Sequence, residues 1–165
     1  MGLDMYLAAK KSISRIDYEK LDRDNGLGLD SPEVINEQFT TLVKNAGLEN
    51  VATSHYGIEV GVTCAYWRKC NQIHGWFVEN VQRGEDNCGE YYVSTNKLQE
   101  LLDTVNTALN TRNPELLPPT QGFFFGSYDI DEYYWNDLKY TKAELERVLS
   151  LPELSELSFY YSSSW

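Results

Sequence analysis

The chain has 165 residues, with 25 Asp and Glu against 14 Lys and Arg, a formal net charge of −11. That balance lacks the basic footprint of a nucleic-acid binder and makes an anionic membrane a poor partner, so neither direct nucleic-acid nor membrane binding is expected. The length fits a single domain over residues 1–165, long enough to bury its own core.

Three cysteines are an odd count and do not read as a secreted disulfide framework. Met1-Gly2-Leu3-Asp4 lacks the basic region and apolar run of a secretory leader. No apolar run approaches the roughly 18–20 residues that span a bilayer. A reducing cytoplasm is the expected setting. Twelve tyrosines and four tryptophans are unusual in so short a chain, and such side chains suit both cores and recognition surfaces. The acids are spread rather than massed, which suits a solvated surface. A surface that presents carboxylates to a basic partner, even in imitation of nucleic acid, is the sharper alternative.

Leu3 to Lys10 alternates as a strand, with Leu3, Met5, Leu7 and Ala9 on one parity. A polar stretch follows, with a turn at Asp24–Gly28. Asp22, Asp24 and Asp30 are spaced loosely like calcium ligands but lack the closing glutamate of the twelve-residue loop. Ser31-Pro32-Glu33 predicts a helix start, and Val34, Ile35, Phe39, Leu42, Val43 and Ala46 continue at helical spacing until Gly47. Tyr56 to Tyr66 predicts a strand that buries Ile58, Val60 and Val62, running straight into a helix over 67–82. On 100° steps, Trp67, Cys70, His74, Phe77, Val78 and Val81 share one face of that helix, with His74 near the middle and Asn71 at the border. A polar ring on an apolar face needs a partner. Trp76 lies opposite among Arg68, Lys69, Gln72 and Glu79, so another element, a ligand or a partner is expected to cover it.

Gly84 to Gly89 is a turn, Tyr91-Tyr92-Val93 a short strand, and Ser94 or Thr95 caps a helix striped by Leu98, Leu101, Leu102, Val105 and Leu109. A proline-marked loop leads to Gly122-Phe123-Phe124-Phe125-Gly126-Ser127, whose three phenylalanines cannot all enter one core as a strand. Asp131 to Leu138 predicts a helix, and Thr141 with Glu144 reads as the capping box of another. Ser158 to Trp165 closes as a strand tied into the sheet. The order predicts an α+β fold: a mixed or antiparallel sheet with helices mainly on one face, the first and last strands neighbouring near its centre.

Met1–Leu7, Tyr66–Gln82, Asn87–Ser94, Gly122–Asp129 with the aromatics after it, and the closing Ser-Ser-Trp together resemble a group of small uncharacterised proteins of tailed bacteriophages and prophages. Members often carry a phosphoglycerate kinase label. That enzyme is two-lobed and far longer, and no counterpart of its nucleotide loop occurs here. The resemblance implies a phage protein acting in an infected bacterial cytoplasm. It transfers no catalytic residue.

Several chemistries can be weighed on the residues alone. Cys64, Cys70, Cys88 and His74 make a zinc-like donor set, but none forms a close Cys-x-x-Cys knuckle, and no metal is expected. Cys88, in a glycine-flanked turn, is a candidate nucleophile with His74 as base and Asn71 or Glu90 as orienter. Neither glycine-rich phosphate motif occurs, and no cofactor is expected. Arg68 and Lys69 at a helix start are candidates for an anion. Asp129, Asp131 and Glu132 pair carboxylates beside Tyr128, Tyr133 and Tyr134. Two functional expectations result. The first is a non-enzymatic accessory protein that binds a host or defence protein through Trp76, Phe123, Phe125, Tyr133, Tyr134 and Trp135. The second is a small enzyme or a binder of a nucleotide-like or anionic ligand, its pocket lined by Trp67, Arg68, Asn71, His74, Tyr91, Phe124 and Ser127.

Overall fold

The computed structural model describes residues 2–22, 25–29, 31–51 and 56–165. Asp24 and Asp30, two of the three calcium-like acids, lie outside the described residues. Four strands and four α-helices follow one another: β1 (Asp4–Ile13), α1 (Glu37–Asn45), β2 (Ile58–Arg68), α2 (Asn71–Asn80), β3 (Tyr91–Val93), α3 (Thr95–Thr111), α4 (Glu132–Leu149) and β4 (Ser158–Ser164). The sheet is antiparallel, in the order β2-β1-β4-β3. β1 and β4 hold its centre, in register from Asp4↔Ser164 to Lys10↔Ser158. No described helix is long and apolar enough to cross a membrane. The chain forms two compact units, residues 1–10 with 61–165, and residues 11–60.

In the larger unit, alternation decides which face is buried. Leu3, Met5, Leu7 and Ala9 of the β1 segment, Phe159 and Tyr161 of β4 and Val93 of β3 pack with α2, α3 and α4 in one core. Fully burying one such leucine contributes about 1.5–3 kcal/mol. Ser94 caps α3 by accepting the Lys97 amide hydrogen, and Leu98, Leu101, Leu102, Val105 and Ala108 fill its inner stripe. The buried apolar residues of α3 and α4, with Ile73 and Phe77 of α2, join this side, so these helices cover one face of the sheet.

Several expectations are corrected. The strand β2 continues to Arg68, and α2 begins only at Asn71, so Trp67 and Arg68 are strand residues. The break falls at Lys69, whose φ of +58° belongs to the left-handed region. The buried face of β2 also differs: Val60 and Val62 are exposed and Ile58 is half-buried against the smaller core, while Ala65 and Trp67, of the other parity, enter the main core. Finally, residues 132–149 are one helix, not two. Asp131 caps it by accepting the amides of Tyr133 and Tyr134. Thr141 caps nothing; it donates back to the Asp137 carbonyl at 2.8 Å and accepts from Trp67 Nε1 at 3.0 Å. No proline or glycine separates Leu138 from Thr141, so nothing stops the helix.

α4 also closes an edge. Tyr140 donates its hydroxyl to the Tyr66 carbonyl at 2.9 Å, and the Arg147 guanidinium donates to the Cys64 carbonyl. Both acceptors belong to β2, at the end of the strand order.

In the smaller unit, Ser31 does not start the long helix. Pro32–Val34 makes a single 3-10 turn, Ile35 is extended, and Asn36 caps α1 by accepting the amides of Gln38 and Phe39. Gly47, at φ +68°, ends α1 with the paired bonds Gly47 N–H to Lys44 and Leu48 N–H to Val43. Ile13, Phe39 and Val43 form a small separate core.

Candidate functional site

The helix α2 is buried almost all round: Asn71, Gln72, Ile73, His74, Phe77 and Val78 are all inside. Its left-handed lead-in at Lys69 turns the chain off the sheet, and Lys69 N–H donates to the Leu3 carbonyl at 2.7 Å. His74 finds the partners its position demands. Its Nδ1 lies 2.7 Å from the Tyr161 hydroxyl and its Nε2 lies 3.0 Å from Asp86 Oδ2. An ionised carboxylate can only accept, so Nε2 carries the hydrogen, and in the neutral ring Nδ1 accepts from Tyr161. Trp165 Nε1 donates to the other oxygen of Asp86 at 3.1 Å. Phe125 meets the imidazole edge-on at 4.9 Å, and Phe77 stacks on Tyr161 at 3.9 Å. His74 and Tyr161 are fully buried, and burial pushes the Tyr161 hydroxyl well above its ordinary range. The chain Tyr161–His74–Asp86–Trp165 thus ties β4 to α2 and to the turn before β3.

Asn71 performs a second tie. Its Nδ2 donates to the carbonyls of Phe125 (3.1 Å) and Ser127 (2.8 Å), and its Oδ1 accepts the Thr120 amide (3.1 Å). The three phenylalanines divide accordingly: Phe125 is buried, Phe124 is half-buried, and Phe123 is 94% exposed. Gly126 has φ +96°, and a Cβ there would sit 3.0 Å from Lys69 Cβ, so the loop passes close over the lead-in to α2.

The pocket residues named from the sequence therefore separate. Trp67 is core. His74 and Asn71 spend their polar atoms on the protein. Tyr91 bonds Asn87 within its own turn at 3.0 Å. Arg68 and Ser127 do meet, in a polar cleft of about 310 Å³ shared with Lys69, Gly126, Asp129, Asp131, Tyr133 and Asp137. Arg68 and Lys69 stand before α2 rather than in its first turn. Desolvation raises the carboxyl of Asp137 above its ordinary range, against the opposing hydrogen bond from Gln72. Cys88 is exposed with φ +56°, and both nitrogens of His74 are engaged elsewhere. Cys70 is buried, and burial pushes its thiol well up. Among the described residues no three His, Cys, Asp or Glu side chains group to hold a metal, so the zinc-like set does not converge.

The proposed partner anchors also divide. Phe123 and Tyr133 are exposed, Trp76 and Trp135 are half-buried, and Phe125 and Tyr134 are buried. Tyr134 donates to the Leu117 carbonyl at 2.8 Å, and burial pushes its hydroxyl up to about 12. Arg112 lies over the Trp135 ring at 4.7 Å.

The face of the sheet opposite the helices carries aromatics that the sequence reading did not single out. Tyr6 and Tyr66 approach at 5.4 Å between ring centres, and Tyr92 and Tyr160, partners in the β3–β4 register, at 5.8 Å. Tyr66 is 40% exposed and Tyr92 61%. Lys10 Nζ sits 4.4 Å over the Tyr160 ring and 2.7 Å from the Glu90 carboxylate. The Tyr66 hydroxyl donates to Asp4, which pushes its own titration upward. The available signal was parity: Tyr6 and Tyr92 stand out of phase with Leu7 and Val93, so each lies on the outer face of its strand.

Compared with family models, curated proteins and solved structures, the chain has no significant match.

Proposed function

We propose that the chain is a non-enzymatic binding protein whose open sheet face receives a basic segment of a partner protein. The observation that carries this reading is the set Tyr6, Tyr66, Tyr92 and Tyr160 on the sheet face opposite α2, α3 and α4, with Tyr66 and Tyr92 exposed and Tyr6 and Tyr160 half-buried. Charge selects the partner's sign. The chain carries −11, which attracts a basic surface and repels an acidic one. The protein's own Lys10 already rests over Tyr160, and a cation on an exposed tyrosine contributes about 0.5–1 kcal/mol. Phe123 and Tyr133 are further exposed anchors. The resemblance to phage proteins supports an infected bacterial cytoplasm as the setting and a host or defence protein as the partner.

A small-ligand reading has one observation in its favour: Arg68, Lys69, Gly126 and Ser127 share a cleft. Asp129, Asp131 and Asp137 line it too, which disfavours a simple anion there.

The test compares capture of bacterial proteins by the native chain and by a Tyr6→Ala/Tyr66→Ala/Tyr92→Ala variant. The expected result is a basic protein held by the first and lost by the second, with unchanged melting. Equal capture by both would remove the sheet face from the reading.

A further inference from the structure

A second cleft, of about 250 Å³, lies on the helix side of the larger unit, between α2 and residues 116–120. Trp76, Val78, Leu116 and Pro118 make it largely apolar, and Glu79 and Asp86 add two carboxylates. Among the described residues no Lys, Arg or His lines it. The last turn of α2 opens onto it through Val78, Glu79 and Asn80, and that turn carries no basic residue. A helix C-terminus carries partial negative charge that ordinarily attracts a cation.

Asp86 is the distinctive member. Two N–H donors, His74 Nε2 and Trp165 Nε1, take one oxygen each and fix the carboxylate in place. Its side chain still keeps 29% of its surface open. The donors are held in turn, because His74 is fully buried and locked against Tyr161. The negative charge is therefore pre-positioned at the wall of an apolar cleft, where binding costs little reorganisation.

We infer that this cleft binds an organic cation with an apolar stem, a guanidinium or alkylammonium group whose head meets Asp86 and Glu79 and whose stem lies against Trp76, Leu116 and Pro118. The charge arrangement admits that class and disfavours others. An anion meets two carboxylates and a helix C-terminus. A neutral apolar group fills the cleft but covers the open part of the Asp86 carboxylate without offering it a counter-charge. The site lies away from the tyrosine face, so it stands or falls independently of the docking reading above.

The experiment titrates the native chain with n-butylguanidinium, n-butylammonium and the neutral n-butylurea, by calorimetry and by shifts of the Trp76 indole and Gly75 amide resonances. The expected result is saturable binding of the cations, with the urea about tenfold weaker or more, the factor that 1.4 kcal/mol represents. Glu79 is exposed, so Glu79→Gln keeps the fold and is expected to weaken the cations about fivefold, as befits one partly exposed charge pair. The Tyr6→Ala/Tyr66→Ala/Tyr92→Ala variant is expected to bind them unchanged. A blocked pentapeptide with a central arginine separates the two sources of the group: binding as tight as butylguanidinium supports a protein side chain, and exclusion of the peptide with retention of butylguanidinium supports a free small cation. Equal binding of urea and cation, or no saturable shift with the cations at about 10 mM, overturns the assignment.

Discussion

The hydroxyl of Tyr161 lies 2.7 Å from Nδ1 of His74, with both side chains fully buried and 87 residues apart in the chain. This contact fastens β4 to α2, and it is where chemistry and stability meet. Tyr161→Phe keeps the ring stacked on Phe77 but leaves Nδ1 without its donor. The expected cost is about 1–3 kcal/mol, the penalty for one orphaned buried acceptor. A lower urea midpoint at unchanged slope would show it. An unchanged midpoint would mean that the hydroxyl contributes nothing net.

Alkali is expected to weaken the fold through the same core. Burial raises the hydroxyl of Tyr161 well above 10.0 and that of Tyr134 to about 12. The folded state therefore holds these protons more tightly than the unfolded chain does. Their stabilising contribution is complete below about pH 10 and is lost as pH rises, that of Tyr134 toward about 12. Urea midpoints measured across that window should fall steadily, and less steeply in a Tyr161→Phe/Tyr134→Phe variant.

Asp137 shows the same sign of linkage in a lower pH window. Desolvation raises its titration above the ordinary 3.8, so its stabilising contribution is present below that value and lost as pH rises through the raised one. At neutral pH its ionised form works against folding. Asp137→Asn is expected to hold or raise the melting temperature at about pH 7, with the advantage shrinking toward about pH 4. A lower melting temperature at neutral pH would contradict this.

Asn71 is expected to govern the Gly122–Ser127 loop. Asn71→Ala removes three hydrogen bonds to residues 120, 125 and 127 and frees the segment around the exposed Phe123. Chymotrypsin should then cut after Phe123 faster than in the native chain, at concentrations where global unfolding is negligible. Equal cutting rates would show that the loop holds itself.

The three thiols should separate by reactivity. Cys88 is exposed, Cys64 is half-buried, and Cys70 is buried with a thiol pushed well up. A chromogenic disulfide reagent is expected to titrate Cys88 at once, Cys64 slowly and Cys70 only on unfolding.

Much of the fold was legible because period-2 and period-3.6 patterns report burial directly. Leu3 to Ala9 announced a strand, and the leucines of α3 a helix. Other features carried no local signal. Lys69 adopts a left-handed conformation that sequence ordinarily assigns to glycine, so the end of β2 was read as the start of α2. Thr141 and Glu144 matched a capping pattern, yet tertiary packing put the threonine hydroxyl inside a continuous helix. Ile58, Val60 and Val62 alternate cleanly, but alternation says which residues share a face, not which face is covered. The site suffered most from this. His74 was marked as needing a partner, but Tyr161 and Asp86 become its partners only through the sheet order, which no short window of sequence contains. Trp76 is misplaced on a polar face, and residues 116–118 prove to line the same cleft.

The helix α4 lies along one side of the sheet and spends Tyr140 and Arg147 on carbonyls of β2. Those oxygens would otherwise offer a template to any passing extended chain. On the opposite side, β3 spans only Tyr91–Val93, too short to seed much pairing. The edges beside the displayed tyrosines are thereby made poor templates for strand pairing. Whatever meets that face must do so through side chains.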